Sequence, residues 1–485
     1  MATYYIDPSQ SSNGTGTLES PFNSWESIIW AAGNSYLQKA GTTYLSQITV
    51  GATGTSSLPI YLGTYGGTEK AFIVISSNSI EGIRISTRSY VTIENFLVSC
   101  TFYDPSGSSI GIHVRQACTY CTIRNCIVTG FYYGFLSDNF NPLATSQNNI
   151  TYLNCYAYKN WGTGFHCTNV CNNVVWQNCK ASYNGFTTNT TGGHGFSCIA
   201  ERQNTFSWTL VSGTVYSAPI TLTNPLLRIT NVSEGPASLT FNSGAGPGAT
   251  LSLNQYDING STVYVNIGKS PSTVAMQAFS NDLYDLLWEQ CISEFNQEGY
   301  PAEGHGWMVD EGTRDSSLNK CISRYNAYDG FQAARGLRIL FKSCVSYRNG
   351  QDGFRANSAA SSTSFVHCTS VSNGNDGFEV GTLPENISFL NCCATKNRKG
   401  FTLRTTSTSD FCNSFGNSVV DSGGSVTNLT TTDPVLSSSY TPTSASSIIT
   451  AGSYVTNLQD NNSTTYWNPP TIGAFEYIRP RTMRS

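Results

Sequence analysis

The motif Cys-x-small-x-x-Asn recurs along this chain, and that recurrence constrains its fold more than any other feature. It runs Cys155 to Asn160, Cys179 to Asn184, Cys291 to Asn296, Cys321 to Asn326, Cys344 to Asn349, Cys368 to Asn373, Cys392 to Asn397 and Cys412 to Asn417. The small residue is Ala157, Ala181, Ser293, Ser323, Ser346, Ser370, Ala394 or Ser414. A Gly with a bulky apolar residue follows most copies, as in Gly164-Phe165, Gly195-Phe196, Gly306-Trp307, Gly330-Phe331, Gly353-Phe354, Gly377-Phe378 and Gly400-Phe401. From Cys291 to Cys392 the steps are 30, 23, 24 and 24 residues. A fixed period of this size means a stacked repeat.

Each unit is too short to bury a core by itself. Its strands alternate, as in Phe354-Arg355-Ala356-Asn357, so one face is apolar and the other wet. No unit carries an apolar helix-period stretch long enough to cover a sheet. The pattern predicts an all-β, right-handed, single-stranded parallel β-helix with successive strands about 4.8 Å apart. Cys and Phe columns fill the bore. Asn forms an amide ladder at a bend, helped by its tolerance of left-handed geometry. Gly occupies the next corner, where a positive φ or a tight approach is needed. Asn125-Cys126 with Gly134-Phe135, and Asn95-Phe96 with Gly111-Ile112, read as earlier, degenerate turns.

Charged residues make up 12% of the chain and the net charge is −4, so no basic field exists to hold nucleic acid. No apolar run reaches the length of a membrane span. The segment Met1 to Asp7 lacks the basic and apolar regions of a secretory signal. At least eight of the sixteen Cys fall at one repeat position and read as free buried thiols acting as small hydrophobes, although stacked neighbours leave some bridging open. The Cys118/Cys121 pair has no second pair at zinc spacing. No metal and no cofactor is called for.

Five segments follow. Residues 1–75 form a cap and first strands, with a short amphipathic helix expected over Ser24–Ala32. Residues 76–202 form the first part of the β-helix. Residues 203–283 form an inserted small β-domain, returning through a helix over 269–288. Residues 284–419 resume the β-helix. Residues 420–485 are irregular, with a last strand over Ile472–Tyr477 and a loose basic end.

Several features resemble the pectate-lyase-like superfamily of right-handed parallel β-helix proteins. They are the opening Tyr5-Ile6-Asp7-Pro8 with Asn13-Gly14-Thr15-Gly16, the stretch Pro59 to Gly66, the repeats, and the closing Gly473-Ala474-Phe475-Glu476-Tyr477. Within that superfamily the chain looks most like phage tailspike and depolymerase proteins. The resemblance implies a virion protein made in a bacterial cytoplasm. It further implies a homotrimer associated with other tail proteins, cleaving bacterial surface polysaccharide such as capsule or O-antigen. Fold alone does not fix activity. A uronan lyase or epimerase, and a non-catalytic receptor-binding or structural β-helix, remain alternatives.

Departures from the repeat mark where chemistry can sit. The Asn-to-Gly step is normally 3 or 4 residues, but it reaches 11 from Asn184 to Gly195 and 10 from Asn296 to Gly306. Both loops end in Gly-His-Gly, so His194 and His305 should stack, and the insert springs from the same place. Parity turns Met308 and Asp310 outward, followed by Glu311, with Glu201 and Arg202 one rung away. Glycoside hydrolysis needs one protonated and one ionised carboxyl group. Asp310, Glu311 and Glu201 are the candidate acid/base set, and His305 and His194 are further catalytic candidates. Glu303, Arg202, Arg335, Arg355, Trp307, Gln332 and Tyr300 are candidate substrate contacts, the arginines suiting acidic sugars. For β-elimination, His194 or His305 would be the base and Arg202, Arg335 or Arg355 the neutraliser. The competing reading is plain turn chemistry, because later rungs place Asp329, Asp352 and Asp376 where these two His residues stand.

Overall fold

The computed structural model describes residues 1–77, 81–102, 109–139, 147–169, 171–185, 193–200, 283–297, 304–310, 312–357, 360–381, 386–419, 426–453, 459–465 and 470–476. It also describes strands of the insert and a few single residues. The chain is a parallel β-solenoid whose strands return to three long sheets of 14, 12 and 11 strands. One turn runs from the first sheet through the Cys position to the second sheet. It then passes the Asn corner and the Gly to the third sheet.

Side-chain alternation builds the bore. On the third sheet, Phe135, Phe165, Phe196, Trp307, Phe331, Phe354, Phe378 and Phe401 stack with ring centroids 4.6–5.0 Å apart. On the first sheet, Trp176 stacks on Trp288 at 4.9 Å, and Phe341, Phe365 and Phe389 continue the pattern. All sixteen cysteines are free and all but Cys100 are buried. The Cys carbonyls bond upward in sequence: Ile322 N–H donates to Cys291 O, and Val345 N–H to Cys321 O.

The asparagines form a continuous buried ladder. Nδ2 donates to the next Oδ1 from Asn160 to Asn184 (3.0 Å), Asn184 to Asn296 (2.9 Å), Asn296 to Asn326 (2.8 Å), Asn326 to Asn349 (2.9 Å) and Asn349 to Asn373 (3.0 Å). Each Oδ1 also accepts the backbone N–H of the preceding ladder residue, as from Asn326 to Asn349 at 3.1 Å. Left-handed geometry belongs to the neighbour, not to the ladder Asn. Tyr183, Phe295, Tyr325 and Arg348, each just before a ladder Asn, have φ between 54° and 57°. A second such column precedes the Cys position and includes Asn154, Asn178 and Asn391. The corner glycines serve close approach: a Cβ on Gly330 would lie 2.2 Å from Ser346 Oγ and 2.6 Å from Gly353 O.

The insert lies between the strands Phe196–Ile199 and Leu283–Tyr284 and holds a three-stranded and a five-stranded sheet. Two expected helices differ from the reading. Residues 269–288 carry the strands Met276–Ser280, Leu283–Tyr284 and Leu287–Glu289 instead. Their alternation buries Leu283, Leu286 and Trp288, and Leu287 pairs with Val175. At the N-terminus only Trp25–Ser27 is helical, a single 3-10 turn capped by Ser24. Trp25 is pulled into the core, where its Nε1 donates to Gln38 Oε1, and that burial ends the helix early.

Ile472 to Glu476 is not a strand. It is a buried loop held by Gly473 N–H to Asn391 O and by the Glu476 carboxylate on Thr471. Tyr477 and the basic end lie outside the described residues. The loop packs on the outer face of the second sheet, with Ala474 and Phe475 against Val345 and Ile472 against Cys393.

These contacts set two outcomes. Gly330→Ala and Asn349→Leu should each lower unfolding stability by about 3 kcal/mol, measured as the shift in denaturant midpoint. The first forces the rungs apart. The second removes the acceptor of the Asn326 backbone N–H and one of the partners of Asn326 Nδ2.

Candidate functional site

The outer face of the third sheet carries three vertical columns. Register places Arg84, His113, Leu136, His166, Ser197, Met308, Gln332, Arg355 and Glu379 in line. Beside them, just before the corner Gly, stand His194, His305, Asp329, Asp352 and Asp376. On the other side lie Asp138, Thr168 and Ile199. Asp310 follows there, with its N–H bonded to Cys198 O.

His194 and His305 stack as their spacing requires, with ring centroids 5.3 Å apart, and both are buried. Burial, with His305 and His166 beside it, pushes the His194 imidazole well below its ordinary value. Burial likewise brings His166 down to about 4. Both rings are therefore neutral over the physiological range. His305 Nδ1 lies 3.4 Å from Asp329 Oδ2, and Tyr328 meets the His305 ring edge-on at 4.8 Å.

The cations are held by carboxylates. Arg355 lies 2.7 Å from Glu379, 3.7 Å from Asp329 and 3.8 Å from Asp352. Arg335 lies 3.8 Å from the buried Asp310. Asp329 Oδ1 accepts the N–H of Asp352, and Asp352 Oδ1 accepts the N–H of Asp376. Those oxygens close the turns of the next rungs. Burial, followed by the Asp329 charge and the Glu379 contact, raises the Asp352 carboxyl to about 9. Asp352 thus keeps its proton well above the ordinary carboxyl range.

Of the candidates from sequence, the structure brings His194, His305, Asp310, Gln332, Arg335 and Arg355 onto this one face. Gln332 is buried there rather than open. Trp307 does not belong: its indole is fully buried in the bore between Phe196 and Phe331, where it meets no ligand. Glu201, Glu311, Glu303 and Tyr300 lie outside the described residues. Arg202 begins the strand Arg202–Gln203 of the insert, and its side chain also lies outside them.

The sequence reading missed a further constellation. His113 Nδ1 pairs with Glu81 Oε1 and Nε2 with Asp138 Oδ2, each at 2.8 Å. Burial opposes the charge on His113, but hydrogen bonds to Asp138 and Glu81 outweigh it and raise the imidazole. The signal was available. Glu81 precedes Gly82 as His194 precedes Gly195, and His113 follows Ile112 as Ser197 follows Phe196.

The raised Asp352 carboxyl has a pH consequence. Between the ordinary value of 3.8 and about 9 the folded chain keeps a proton that the unfolded chain releases. This contribution to stability therefore falls as pH rises through that window. Asp352→Asn should remove the slope, so that denaturant midpoints of variant and parent diverge in the variant's favour toward the alkaline end.

Solved structures share the fold. A pectate lyase, Pel9A, aligns over 99% of this chain and 97% of its own, with 14% identity and a TM-score of 0.52. XylC, solved with xylose, aligns over 98% of each chain with 8% identity and a TM-score of 0.58. Tailspike protein 2 of Escherichia coli O157:H7 bacteriophage CAB120 covers 84% of this chain and 42% of its own, with 11% identity and a TM-score of 0.41. No curated protein matches the chain. The family described as the right handed beta helix region matches residues 72–231 and 248–440, and with the solenoid built as above the chain belongs to that family.

Proposed function

We propose that this protein is a polysaccharide-active β-helix enzyme that binds its substrate along the outer face of the third sheet. Within that class we read it as a tailspike-type depolymerase of bacterial surface polysaccharide, carried on a virion as a homotrimer with other tail proteins. The observation that carries the reading is the concentration of buried polar and charged side chains where the insert leaves the solenoid. His194, Ser197, His305, Asp310 and Gln332 are all buried on a face that a water-soluble rod would ordinarily leave to exposed polar groups. The shared fold with a pectate lyase supports the same class of substrate.

Hydrolysis is the reading preferred here. Asp310 is a carboxylate on this face, and Glu311 follows it in the chain. Asp352 illustrates that burial and neighbouring carboxylates on this face can keep one carboxyl protonated. One observation favours the second reading, β-elimination. His194 is neutral, the state a proton-abstracting base requires.

Host capsule and O-antigen, incubated with the protein, should release reducing ends without new ultraviolet absorbance from unsaturated sugars. Absorbance rising with reducing ends would select elimination instead. Asp310→Asn should lose about two to four orders of magnitude in turnover while still binding the polymer. Polymers that are neither shortened nor bound would remove the reading.

A further inference from the structure

Resting on that reading, we propose that His166, His194, Ser197 and His305 form a subsite for an uncharged sugar ring, recognised through its hydroxyl groups. The four side chains are contiguous. Ser197 pairs in register with His166, His194 opens the same rung, and the His194 ring lies on that of His305. His194, Ser197 and His305 are 4%, 2% and 2% exposed. The half-buried His166, Ile199 and Met308 of the same columns mark the side that meets solvent.

Among the described residues His194 Nδ1 and Ser197 Oγ make no hydrogen bond, while His166 bonds the Ser197 backbone and His305 Nδ1 faces Asp329 Oδ2 at 3.4 Å. Each buried polar group left unpaired costs about 1–3 kcal/mol, so a cluster of them is expensive unless a ligand completes it. The neighbouring aspartates differ in part, since one oxygen of each is bonded although Asp329 Oδ2 is not. Asp329 and Asp352 each accept a backbone N–H from the next rung.

The chemistry of the set selects the ligand. A neutral imidazole offers one donor and one acceptor, and Ser197 offers both from one oxygen. A sugar hydroxyl is likewise donor and acceptor at once, and neighbouring hydroxyls on a ring match such a set. A uronate carboxylate is an acceptor only and carries charge. Among the described residues around the patch, it would meet the carboxylates of Asp310 and Asp329. The nearest cations, Arg335 and Arg355, already face those carboxylates. Two neutral rings, His166 and His194, supply no compensating charge.

The test uses the full chain with 13C-labelled histidine rings, each of the five resonance sets assigned by a single His→Gln variant. Methyl glycosides of glucose, galactose, mannose and N-acetylglucosamine are titrated beside glucuronate and galacturonate. At least one neutral glycoside should shift His166, His194 and His305. It should leave His113 and His367 still, and half-saturate about tenfold lower than either uronate, a difference of about 1.4 kcal/mol. Ser197→Ala should weaken that shift without moving the unliganded spectrum of His113. Uronates acting at lower concentration than every neutral glycoside, or no sugar shifting these three rings, would overturn the proposal. The polymer assay stands apart: a polysaccharide cleaved or bound while the uronates win here keeps the broader reading and removes only this subsite.

Discussion

The asparagine ladder sets the register on which everything else depends. A buried side-chain amide has to find partners, and here each finds them on the rungs directly before and after its own. A slip of one residue would turn Phe and Cys outward and leave every amide in the column unpaired at once. The corner glycines add steric force to the same condition, because their backbones pass too close for a Cβ. The ladder also explains how the insert is tolerated. Asn184 bonds to Asn296 across 112 residues at 2.9 Å, a geometry no different from that of neighbours 23 or 24 residues apart. Loop closure grows only slowly in cost with length, so one rung can carry a domain if its ends return to the ladder.

Much of the fold was legible for the same reason. The period, the inward parity of Phe354 and Ala356, and the stacking of His194 on His305 follow from spacing alone. What failed to show was local geometry whose cause is tertiary. The left-handed residue at the amide corner is Tyr183, Phe295, Tyr325 or Arg348, types with no intrinsic preference for positive φ. The ladder bonds impose it. The stretch near 283 looked helical in short range, yet Trp288 gains more by stacking on Trp176 than a helix would return. Trp307 is not a substrate contact because its parity is that of the bore, where it continues the Phe column.

The site was less legible than the fold because charge state is set by neighbours, not by residue type. His113, His166 and His194 are all histidines on one face, the first and last buried and His166 half-buried. Desolvation lowers each of them. At His113 two carboxylates overcome it, from Glu81 on one side and Asp138 on the other. At His166 and His194 no carboxylate among the described residues is close enough to do so, and burial keeps the rings neutral. A sequence gives the three columns but not which members touch.

The corner before each Gly is a natural control for what its residue is needed to do. Where Asp stands there, at 329 and 352, an oxygen is spent on the next rung's N–H and the side chain helps close the turn. Where His stands there, at 194 and 305, the backbone follows the same course. Gly195 N–H donates to His305 O and Gly306 N–H to Asp329 O, as Gly330 N–H does to Asp352 O. The imidazole Nδ1 atoms take no part. Among the described residues these backbone bonds of the turn are made without the imidazoles, and His305 Nδ1 faces Asp329 Oδ2 at 3.4 Å. What distinguishes those rungs is the outer face they build, and on the proposed reading that face is where the polysaccharide is met.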